Sequence, residues 1–319
     1  MNYILITGAD GFIGFNLYKK LIKNKDNFIV LLDVTPQNKL KNLIKLNSRS
    51  IYYQLNILED LSILNKYKFK YIYHLASIVG VKKVNNPFLV SKIIIDGSKN
   101  IINLALKNKS KLLLASTSEI YGKNPIVPWF ENSDRIYGPT EELRWCYAHS
   151  KAIVEQLLLY LSNNKKLNSV IVRYFNIYGP NQSLNFVIPK NIISSLKLKK
   201  VIINESGNQT RSFTYIDDAV DGTVKACESK ISNGKIFNLS YPKETSIFEL
   251  MNIIQDISKQ KLKIKYKKTN KLNYFYDLIP RRTPDVSNAL DILNWKAKTN
   301  LKDGIKKTYK WYLKNLKSF

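Results

Sequence analysis

The chain has 319 residues and carries 51 Lys and Arg against 24 Asp and Glu, which gives a formal net charge of +27 at pH 7. A chain of this length can bury one large hydrophobic core or two smaller ones. No apolar run reaches the roughly 18 residues that a membrane span needs. The chain enters an apolar run at Tyr3, which leaves no room for a signal peptide. We therefore expect a cytoplasmic protein without a membrane partner.

The positive charge comes mainly from lysine, because only seven of the 51 basic residues are Arg. The lysines are spread along the whole chain, which indicates a compositional habit, so we expect no nucleic-acid partner. The densest cluster, over 259–268, alternates Lys with other residues in a way that fits a strand with one solvated face. The surplus charge can still attract anionic substrates.

Cysteine and histidine are scarce, with two residues of each. Cys146 and Cys227 are isolated in the sequence, so they provide neither a disulfide framework nor a cysteine metal cluster. With only His74 and His149 besides, we expect no metal site. Packing is the expected role of Cys146, because the sequence gives no reason to treat it as a nucleophile.

The first half of the chain alternates predicted strands with predicted helices. Strands are predicted near 3–7, 28–33, 51–55, 70–75, 111–116 and 168–174, and helices near 12–24, 58–67, 87–108 and 144–162. This alternation is typical of an α/β fold with a Rossmann-type, doubly wound parallel sheet. Ligands bind beyond the carboxyl ends of such strands, where Gly8, Asp33, Asn56, His74 and the run 116–119 are expected to lie.

Beyond residue 176 the pattern is less regular. Helices are predicted near 187–198, 216–229, 246–258 and 286–294 and from 301, and strands near 201–203, 213–215 and 235–239. We expect a smaller C-terminal α/β lobe that covers the carboxyl edge of the sheet. The predicted division assigns 1–176, with return segments near 212–245, to the dinucleotide-binding domain, and 177–211 and 246–319 to the second lobe.

A glycine-rich turn opens the chain. Gly8, Gly11 and Gly14 follow the apolar run 3–6 and lead into a helical pattern. Gly8 permits a tight turn, Gly11 lets backbone amides approach phosphates, and Gly14 lets the helix pack closely on the strand. Since the amino end of a helix attracts anions, the sequence predicts the pyrophosphate of a dinucleotide here.

The second predicted strand ends in an acidic residue. Asp33 lies nineteen residues after Gly14, the distance at which a carboxylate that accepts from a ribose diol normally falls. No Arg follows nearby to hold a 2′-phosphate. The sequence therefore favours NAD over NADP.

A phenol and an ammonium are predicted on one helix face. Tyr147 and Lys151 are four residues apart near the start of a predicted helix. A cation beside a phenol stabilises the phenolate, so Lys151, together with the positive nicotinamide ring, is expected to lower the pKa of Tyr147 from about 10 toward neutrality. Tyr147 is then a general base for a sugar hydroxyl.

Two further polar residues follow the predicted strand 111–116. Thr117 is suited to donate to the same substrate oxygen, and Glu119 adds a carboxylate that can act as an acid or base. The alternative for both is a turn with local caps and no role in the reaction.

Several ordered motifs span nearly the whole chain: TGADGFIG at 7–14, HLAS at 74–77, STSEIYG at 116–122, YAHSK at 147–151, RYFNIYGP at 173–180, QTRSFTYIDD at 209–218, FNLS at 237–240 and RRTPDVS at 281–287. With them the chain resembles the extended short-chain dehydrogenases/reductases of the NAD-dependent nucleotide-sugar epimerase/dehydratase family. The resemblance implies a nucleotide-sugar substrate, most simply UDP-linked. It also implies a homodimer built through a four-helix bundle of the helices near 87–108 and 144–162.

The resemblance assigns roles to individual residues. Tyr147 is the expected catalytic base, Lys151 holds the nicotinamide ribose, Thr117 orients the substrate 4-hydroxyl, and Glu119 completes the catalytic set. The residues expected to contact NAD are Gly8, Asp10, Gly11, Phe12, Ile13, Gly14, Asp33, Asn56, Ile57, Leu75, Ala76, Ser77, Tyr147 and Lys151. The residues expected to contact the substrate are Ser118, Asn176, Val187, Arg211 and Arg282, with Asn204 near the nucleotide base.

Guanidinium groups grip phosphate or carboxylate in bidentate fashion, which suits Arg211 and Arg282 to such contacts. Surface salt bridges are the alternative for both residues. Two positions depart from the family pattern. Asn56 stands where an Asp that contacts adenine is usual, and Ile94 stands where an Asn is common.

Three reactions share a first step, the oxidation of the sugar at C4. The sequence favours 4-epimerisation of a UDP-hexose or UDP-uronate, with UDP-glucuronate decarboxylation close behind and 4,6-dehydration as a further alternative. Glu119, Arg144 and Arg282 resemble the decarboxylases, whereas the loop over 181–186 lacks the charged insertion of dedicated decarboxylases. A non-catalytic NAD-binding sensor or scaffold is disfavoured, because it has no need of Thr117, Tyr147 and Lys151.

Overall fold

A computed structural model describes residues 1–40, 46–79, 86–204, 206–267 and 279–319. The strands in this part of the chain are β1 (Asn2–Thr7), β2 (Asn27–Asp33), β3 (Ser50–Gln54), β4 (Phe69–His74), β5 (Lys111–Thr117), β6 (Ser169–Tyr174), β7 (Ile177–Tyr178), β8 (Lys200–Asn204), β9 (Thr210–Ser212), β10 (Thr214–Tyr215), β11 (Lys235–Leu239), β12 (Glu244–Ser246) and β13 (Lys263–Lys267).

The α-helices in the same ranges are α1 (Phe12–Leu21), α2 (Pro87–Ser91), α3 (Gly97–Asn108), α4 (Trp145–Asn163), α5 (Val187–Leu198), α6 (Ile216–Glu228), α7 (Ile247–Ser258), α8 (Ser287–Leu293) and α9 (Leu301–Lys314). A π-helical turn over Lys92–Asp96 joins α2 to α3. No helix in the described ranges is both long enough and apolar enough to cross a membrane.

Seven strands form one parallel sheet in the order β3-β2-β1-β4-β5-β6-β11. Helices cover both of its faces, as a parallel sheet requires. Ile4 and Ile6 belong to a cluster with Leu17 of α1, whereas Leu5 belongs to the opposite cluster with Val154 of α4. This alternation follows from the two-residue period of a strand. The predicted α/β, Rossmann-type fold is therefore confirmed.

The parallel arrangement brings the carboxyl ends of the strands to one edge. Thr7 lies opposite His74 in the register of β1 and β4, and Thr117 lies opposite Tyr174 in the register of β5 and β6. Asp33 ends the neighbouring strand β2. The polar residues that the sequence placed after predicted strands thus share this edge.

One predicted helix is wrong. Over 58–67 only a 3₁₀ turn forms, at Ser62–Lys66. The Asn56 side chain accepts from the Leu58 N–H at 3.0 Å, and the Asp60 side chain accepts from the Ser62 N–H at 2.9 Å. Such bonds to the backbone two residues ahead compete with helix formation.

The later segments add a further layer beside the sheet. The apolar faces of α5, α7 and α9 belong to the same cluster as one face of the sheet. The predicted strand in the lysine-rich segment is confirmed for Lys263–Lys267, which pairs in parallel with β8. Lys268 lies outside the described residues. The strands β7 and β12 are too short for the sequence pattern to indicate.

Candidate active site

The glycine turn between β1 and α1 is tightly enclosed. Gly8 has a φ of +70°, and a Cβ at this position would lie 2.8 Å from the backbone nitrogen of Ala76. A Cβ on Gly14 would lie 2.2 Å from the carbonyl oxygen of Gly8. Both contacts are too short for any side chain, so glycine is required at both positions. The chain thereby forms a narrow cradle at the amino end of α1, which fits a dinucleotide pyrophosphate.

Asp33 lies beside this cradle. The Asp10 N–H donates to Asp33 Oδ2 at 3.0 Å, and the N–H and hydroxyl of Thr35 donate to Asp33 Oδ1 at 3.1 and 2.9 Å. These bonds orient the carboxylate at the end of β2. The geometry of Gly8, Asp10, Gly14 and Asp33 therefore fits the pyrophosphate and ribose of NAD.

A buried polar chain fixes the ends of β1 and β4 next to each other. Thr7 Oγ1 lies 2.8 Å from His74 Nδ1 and accepts from the Ala76 N–H at 3.1 Å, and His74 Nε2 lies 2.9 Å from Ser98 Oγ. Burial lowers the pKa of His74 to about 3, so this imidazole stays neutral. These contacts keep the 75–77 segment beside the glycine turn.

The other residues predicted to contact NAD lie around this edge. Gly11 caps α1, and Phe12 and Ile13 form its first turn. The Leu75 N–H donates to Thr7 O at 3.2 Å. Asn56 accepts from the backbone two residues on, and Ile57 is buried in the core. Ile94, the position where an Asn is common in the family, is buried in the same core.

Tyr147 and Lys151 lie in the first two turns of α4, as predicted. The Lys151 Nζ donates to the carbonyl oxygen of Ala115 at 2.8 Å. Burial lowers the pKa of Lys151 to about 8, and the Glu155 carboxylate one turn further along α4 opposes that shift. The ammonium is therefore enclosed, next to the end of β5.

Burial raises the pKa of Tyr147, and the nearby Glu119 carboxylate raises it further. The hydroxyls of Thr117 and Ser77 act in the opposite direction by hydrogen bonding to the phenol. The described residues alone thus hold the phenol protonated at neutral pH. The predicted lowering by Lys151 and a nicotinamide ring remains a prediction.

Thr117 forms the local cap that was the alternative expectation, and its contact with the substrate oxygen remains a prediction. Its Oγ1 accepts from the Glu119 N–H at 3.2 Å, which caps the 3₁₀ turn Ser118–Tyr121. The same hydroxyl interacts with Tyr147. The cap therefore fixes Thr117 beside the phenol.

Glu119 binds two guanidinium groups. Arg282 Nη1 lies 2.6 Å from Glu119 Oε1, and Arg144 Nη2 lies 3.1 Å from Glu119 Oε2. The Arg282 side chain is 4% exposed, so it is no surface salt bridge, whereas the Glu119 side chain is 29% exposed. The Arg144 guanidinium also stacks on the Trp145 ring, 4.7 Å from its centroid. A carboxylate between two cations thus adjoins Thr117 and Tyr147.

The remaining predicted substrate residues lie in different settings. Ser118 is buried at the start of the 3₁₀ turn, and Val187 begins α5. The Asn176 amide donates to the Ser212 carbonyl at 3.0 Å. Arg211 is 7% exposed and donates to the Thr210 carbonyl at 2.5 Å, so it too is buried rather than on the surface. The side chain of Asn204 lies outside the described residues.

Sequence reasoning missed a buried ion pair behind the site. Arg173 Nη2 lies 2.6 Å from Glu155 Oε2, and Arg173 Nε lies 3.0 Å from Glu155 Oε1. The Ser116 hydroxyl donates to the same carboxylate at 2.5 Å. The motif RYFNIYGP contains Arg173, but a motif does not reveal a partner on a distant helix. This pair ties α4, which carries Lys151, to β5 and β6.

Comparison with known proteins gives the family. A family model described as "NAD dependent epimerase/dehydratase family" matches residues 4–240. The chain belongs to this family. It is therefore an enzyme that depends on NAD, and the resemblance predicted from its motifs is confirmed.

Individual relatives cover nearly the whole chain. A UDP-N-acetyl-alpha-D-glucosaminuronate decarboxylase of Bacillus cytotoxicus is 34% identical over 97% of both chains. UDP-glucuronic acid decarboxylase 3 of Arabidopsis thaliana is 31% identical, over 95% of this chain and 86% of the relative. A crystal structure of a Bacillus cereus UDP-glucuronic acid 4-epimerase, with UDP-glucuronic acid and NAD, superposes with a TM-score of 0.85 at 29% identity, covering 98% of this chain and 99% of the other.

Replacement of Gly8 by Ala should weaken NAD binding at least about tenfold, because the added Cβ forces the turn away from the 75–77 segment. Gly234→Ala is the matched control: Gly234 has a φ of +69°, but a Cβ there meets nothing closer than 3.5 Å. Calorimetric titration of each variant with NAD measures the effect. Binding by Gly8→Ala within twofold of the wild type would contradict this placement of the pyrophosphate.

Proposed function

We propose that the protein decarboxylates a UDP-linked hexuronate after oxidising the sugar at C4. The observation that carries this proposal is the buried Arg282 guanidinium, paired with Glu119 beside Thr117 and Tyr147. A UDP-hexose offers guanidinium groups only its diphosphate. The pairing of Arg282 with Glu119, beside Thr117 and Tyr147, favours a position next to the sugar, where the carboxylate of a hexuronate matches the guanidinium in charge and shape. Decarboxylation of such uronates is also the activity named for the two sequence relatives.

The residues of the chain divide the first step among them. NAD, when bound, supplies the hydride acceptor at C4 and later returns the hydride. Thr117 orients the 4-hydroxyl, and Tyr147 removes its proton. The Lys151 ammonium, together with the positive nicotinamide ring, offsets the burial that otherwise keeps this phenol protonated, and so favours the phenolate. The negative charge of Glu155 raises the pKa of Lys151 and so helps to keep its ammonium protonated.

The second step follows from the chemistry of the oxidised sugar. A C4 ketone places the C5 carboxylate β to a carbonyl group. When the C5–C6 bond breaks, carbon dioxide leaves and the electron pair passes to O4 as an enolate. C5 takes up a proton from water, the protonated Tyr147 donates to O4, and the hydride returned to C4 completes the 4-hydroxyl group.

Glu119 favours loss of the substrate carboxylate as carbon dioxide over its retention on the sugar. Its own charge offsets that of Arg282 at 2.6 Å and of Arg144 at 3.1 Å. Arg282 therefore binds the substrate carboxylate without the full attraction of an unpaired cation. An anion beside the substrate carboxylate disfavours its charged ground state and favours the neutral product, carbon dioxide.

A second candidate is 4-epimerisation of the same uronate, which the sequence favoured. The structural relative from Bacillus cereus is named for this reaction. Both reactions use the same oxidation, and they differ in whether the carboxylate remains on the intermediate.

We further propose that the segments 177–211 and 246–319 hold the nucleotide, and that two copies of the chain form a dimer through α2, α3 and α4. Support for the dimer comes from apolar side chains that remain exposed on these helices in the single chain: Phe88 at 79%, Ile153 at 41% and Tyr160 at 59%. Helix faces of this kind suit a two-fold contact.

Incubation of the purified protein with UDP-glucuronate, UDP-N-acetylglucosaminuronate and UDP-glucose tests the proposed reaction. We expect one of the two uronates to lose about 44 Da, the mass of carbon dioxide, as measured by mass spectrometry. Arg282→Met should reduce this turnover by at least about a hundredfold, since the carboxylate loses its guanidinium partner. Conversion of a uronate at unchanged mass would support the 4-epimerase and contradict decarboxylation.

The pH dependence of kcat/KM should show a fall above about pH 8, because Lys151 loses its proton there. A group whose pKa is lowered by burial is charged below that value and neutral above it. Lys151→Arg keeps a positive charge up to at least about pH 12 and should remove this fall, whatever its effect on the maximal rate. If Lys151→Arg shows the same fall near pH 8, another group is responsible.

A further inference from the structure

The pairing of Arg282 with Glu119 joins two segments that are distant in sequence. Glu119 lies on the 3₁₀ turn that follows β5, and Arg282 lies on the irregular segment 279–285 before α8. An irregular segment has no helical or sheet hydrogen bonds of its own that fix the positions of its side chains. Contacts outside the pair must therefore determine where the guanidinium stands.

The backbone of Trp129 hydrogen-bonds to the 279–285 segment on both sides of Pro284. The Trp129 N–H donates to the Thr283 carbonyl at 2.8 Å, and the Asp285 N–H donates to the Trp129 carbonyl at 2.8 Å. The Trp129 ring is fully buried. The backbone directly after Arg282 is thus held by one short bridge.

The side chain of Asn238 hydrogen-bonds to both segments of that bridge. It lies on β11, its side chain is 0% exposed, and its amide nitrogen donates to the carbonyls of both Trp129, at 2.9 Å, and Asp285, at 3.1 Å. A single buried amide group therefore bonds to both strands of the bridge.

The other end of the same amide reaches the turn that carries Glu119. Asn238 Oδ1 accepts from the Tyr121 hydroxyl at 2.6 Å, and Tyr121 ends that 3₁₀ turn. The Tyr121 ring also stacks on Trp129, with centroids 4.9 Å apart. Arg173 Nη1 donates to the Tyr121 hydroxyl at 2.9 Å, so the phenol is fixed from both sides.

We propose that Asn238 is a positioning residue that sets the distance between Arg282 and Glu119 and so determines how well the site takes a substrate carboxylate. It touches neither group directly. It acts through Asp285 and Trp129 on one side and through Tyr121 on the other. The inference rests on the proposed function, which supplies the carboxylate as the ligand. The motif FNLS, which contains Asn238, gave no indication of this role.

The side chain must be an amide for this arrangement. Two N–H donors serve two carbonyl groups while an oxygen accepts from the phenol, a combination that only Asn or Gln provides. Asp has the same shape but lacks both donors. Asn238→Asp would set a carboxyl group against two carbonyl oxygens, and the bridge should move away from β11.

The test measures binding with turnover blocked by Tyr147→Phe. In this background, calorimetry with NAD-loaded protein gives dissociation constants for UDP-glucuronate and UDP-glucose, and their ratio is the preference for the carboxylate. Adding Asn238→Asp should reduce this preference roughly tenfold and leave the affinity for UDP-glucose within about twofold, since small displacements of a binding group are costly. Loss of the fold would lower both affinities together.

Asn27→Asp is the matched control. Asn27 is also buried, its amide donates to the Leu21 carbonyl at 2.9 Å, and it lies at the amino end of β2, away from the site. The control should keep the preference. If Asn238→Asp does not fold, Tyr121→Phe removes the hydroxyl that donates to Asn238 Oδ1 and accepts from Arg173 Nη1, and should lower the preference roughly threefold by the same displacement.

A preference unchanged by Asn238→Asp, or by Tyr121→Phe where that variant is needed, would overturn the inference. The proposed reaction is judged separately, by release of carbon dioxide from the wild type. An enzyme that epimerises the uronate would fail that test and still show the effect of Asn238 on binding. A site with no preference for the uronate would contradict both.

Discussion

The structure around the reacting centre depends on one constraint, the burial of the Arg282 guanidinium. A buried cation is costly unless a partner neutralises it and its donors are satisfied. Glu119 is that partner, and Arg144 completes the group from the start of α4. Under the proposed function, the same three charges also meet the carboxylate of the substrate. Stability and the proposed recognition then depend on the same residues.

The parallel sheet brings this charged group to the same edge as the glycine turn. Thr7, Asp33 and Thr117 end three strands at one edge, so the glycine turn and the Glu119 turn open toward the same space. The helix α4 adds Tyr147 and Lys151 from the side. Behind it, the ion pair of Glu155 with Arg173 ties the helix to the sheet. The ammonium and the phenol are held in place by this framework.

Local features could be predicted from the sequence because their causes lie within a few residues. The turn at Gly8, the carboxylate of Asp33 and the spacing of Tyr147 and Lys151 each depend on neighbours in the chain. The prediction of a helix near 58–67 was wrong. It relied on the periodicity of apolar residues and did not account for the hydrogen bond between the Asp60 side chain and the backbone. Competition of that kind is decided by single hydrogen bonds.

Partners across long separations were beyond a single sequence. Arg282 and Glu119 were both candidates, but nothing in the chain indicated that they bind each other. The role inferred for Asn238 depends on carbonyl groups at positions 129 and 285, and any residue can supply a carbonyl group. The pKa of Tyr147 likewise depends on burial, which only the folded chain determines.

In the proposed function, Arg282 receives the carboxylate of a UDP-linked hexuronate. The most direct measurement is a crystal structure of the Tyr147→Phe variant with NAD and UDP-glucuronate. We expect a carboxylate oxygen within about 3 Å of an Arg282 nitrogen, with the 4-hydroxyl at Thr117. A sugar bound with its carboxylate directed away from Arg282, while Arg282 remains paired with Glu119, would contradict the proposal.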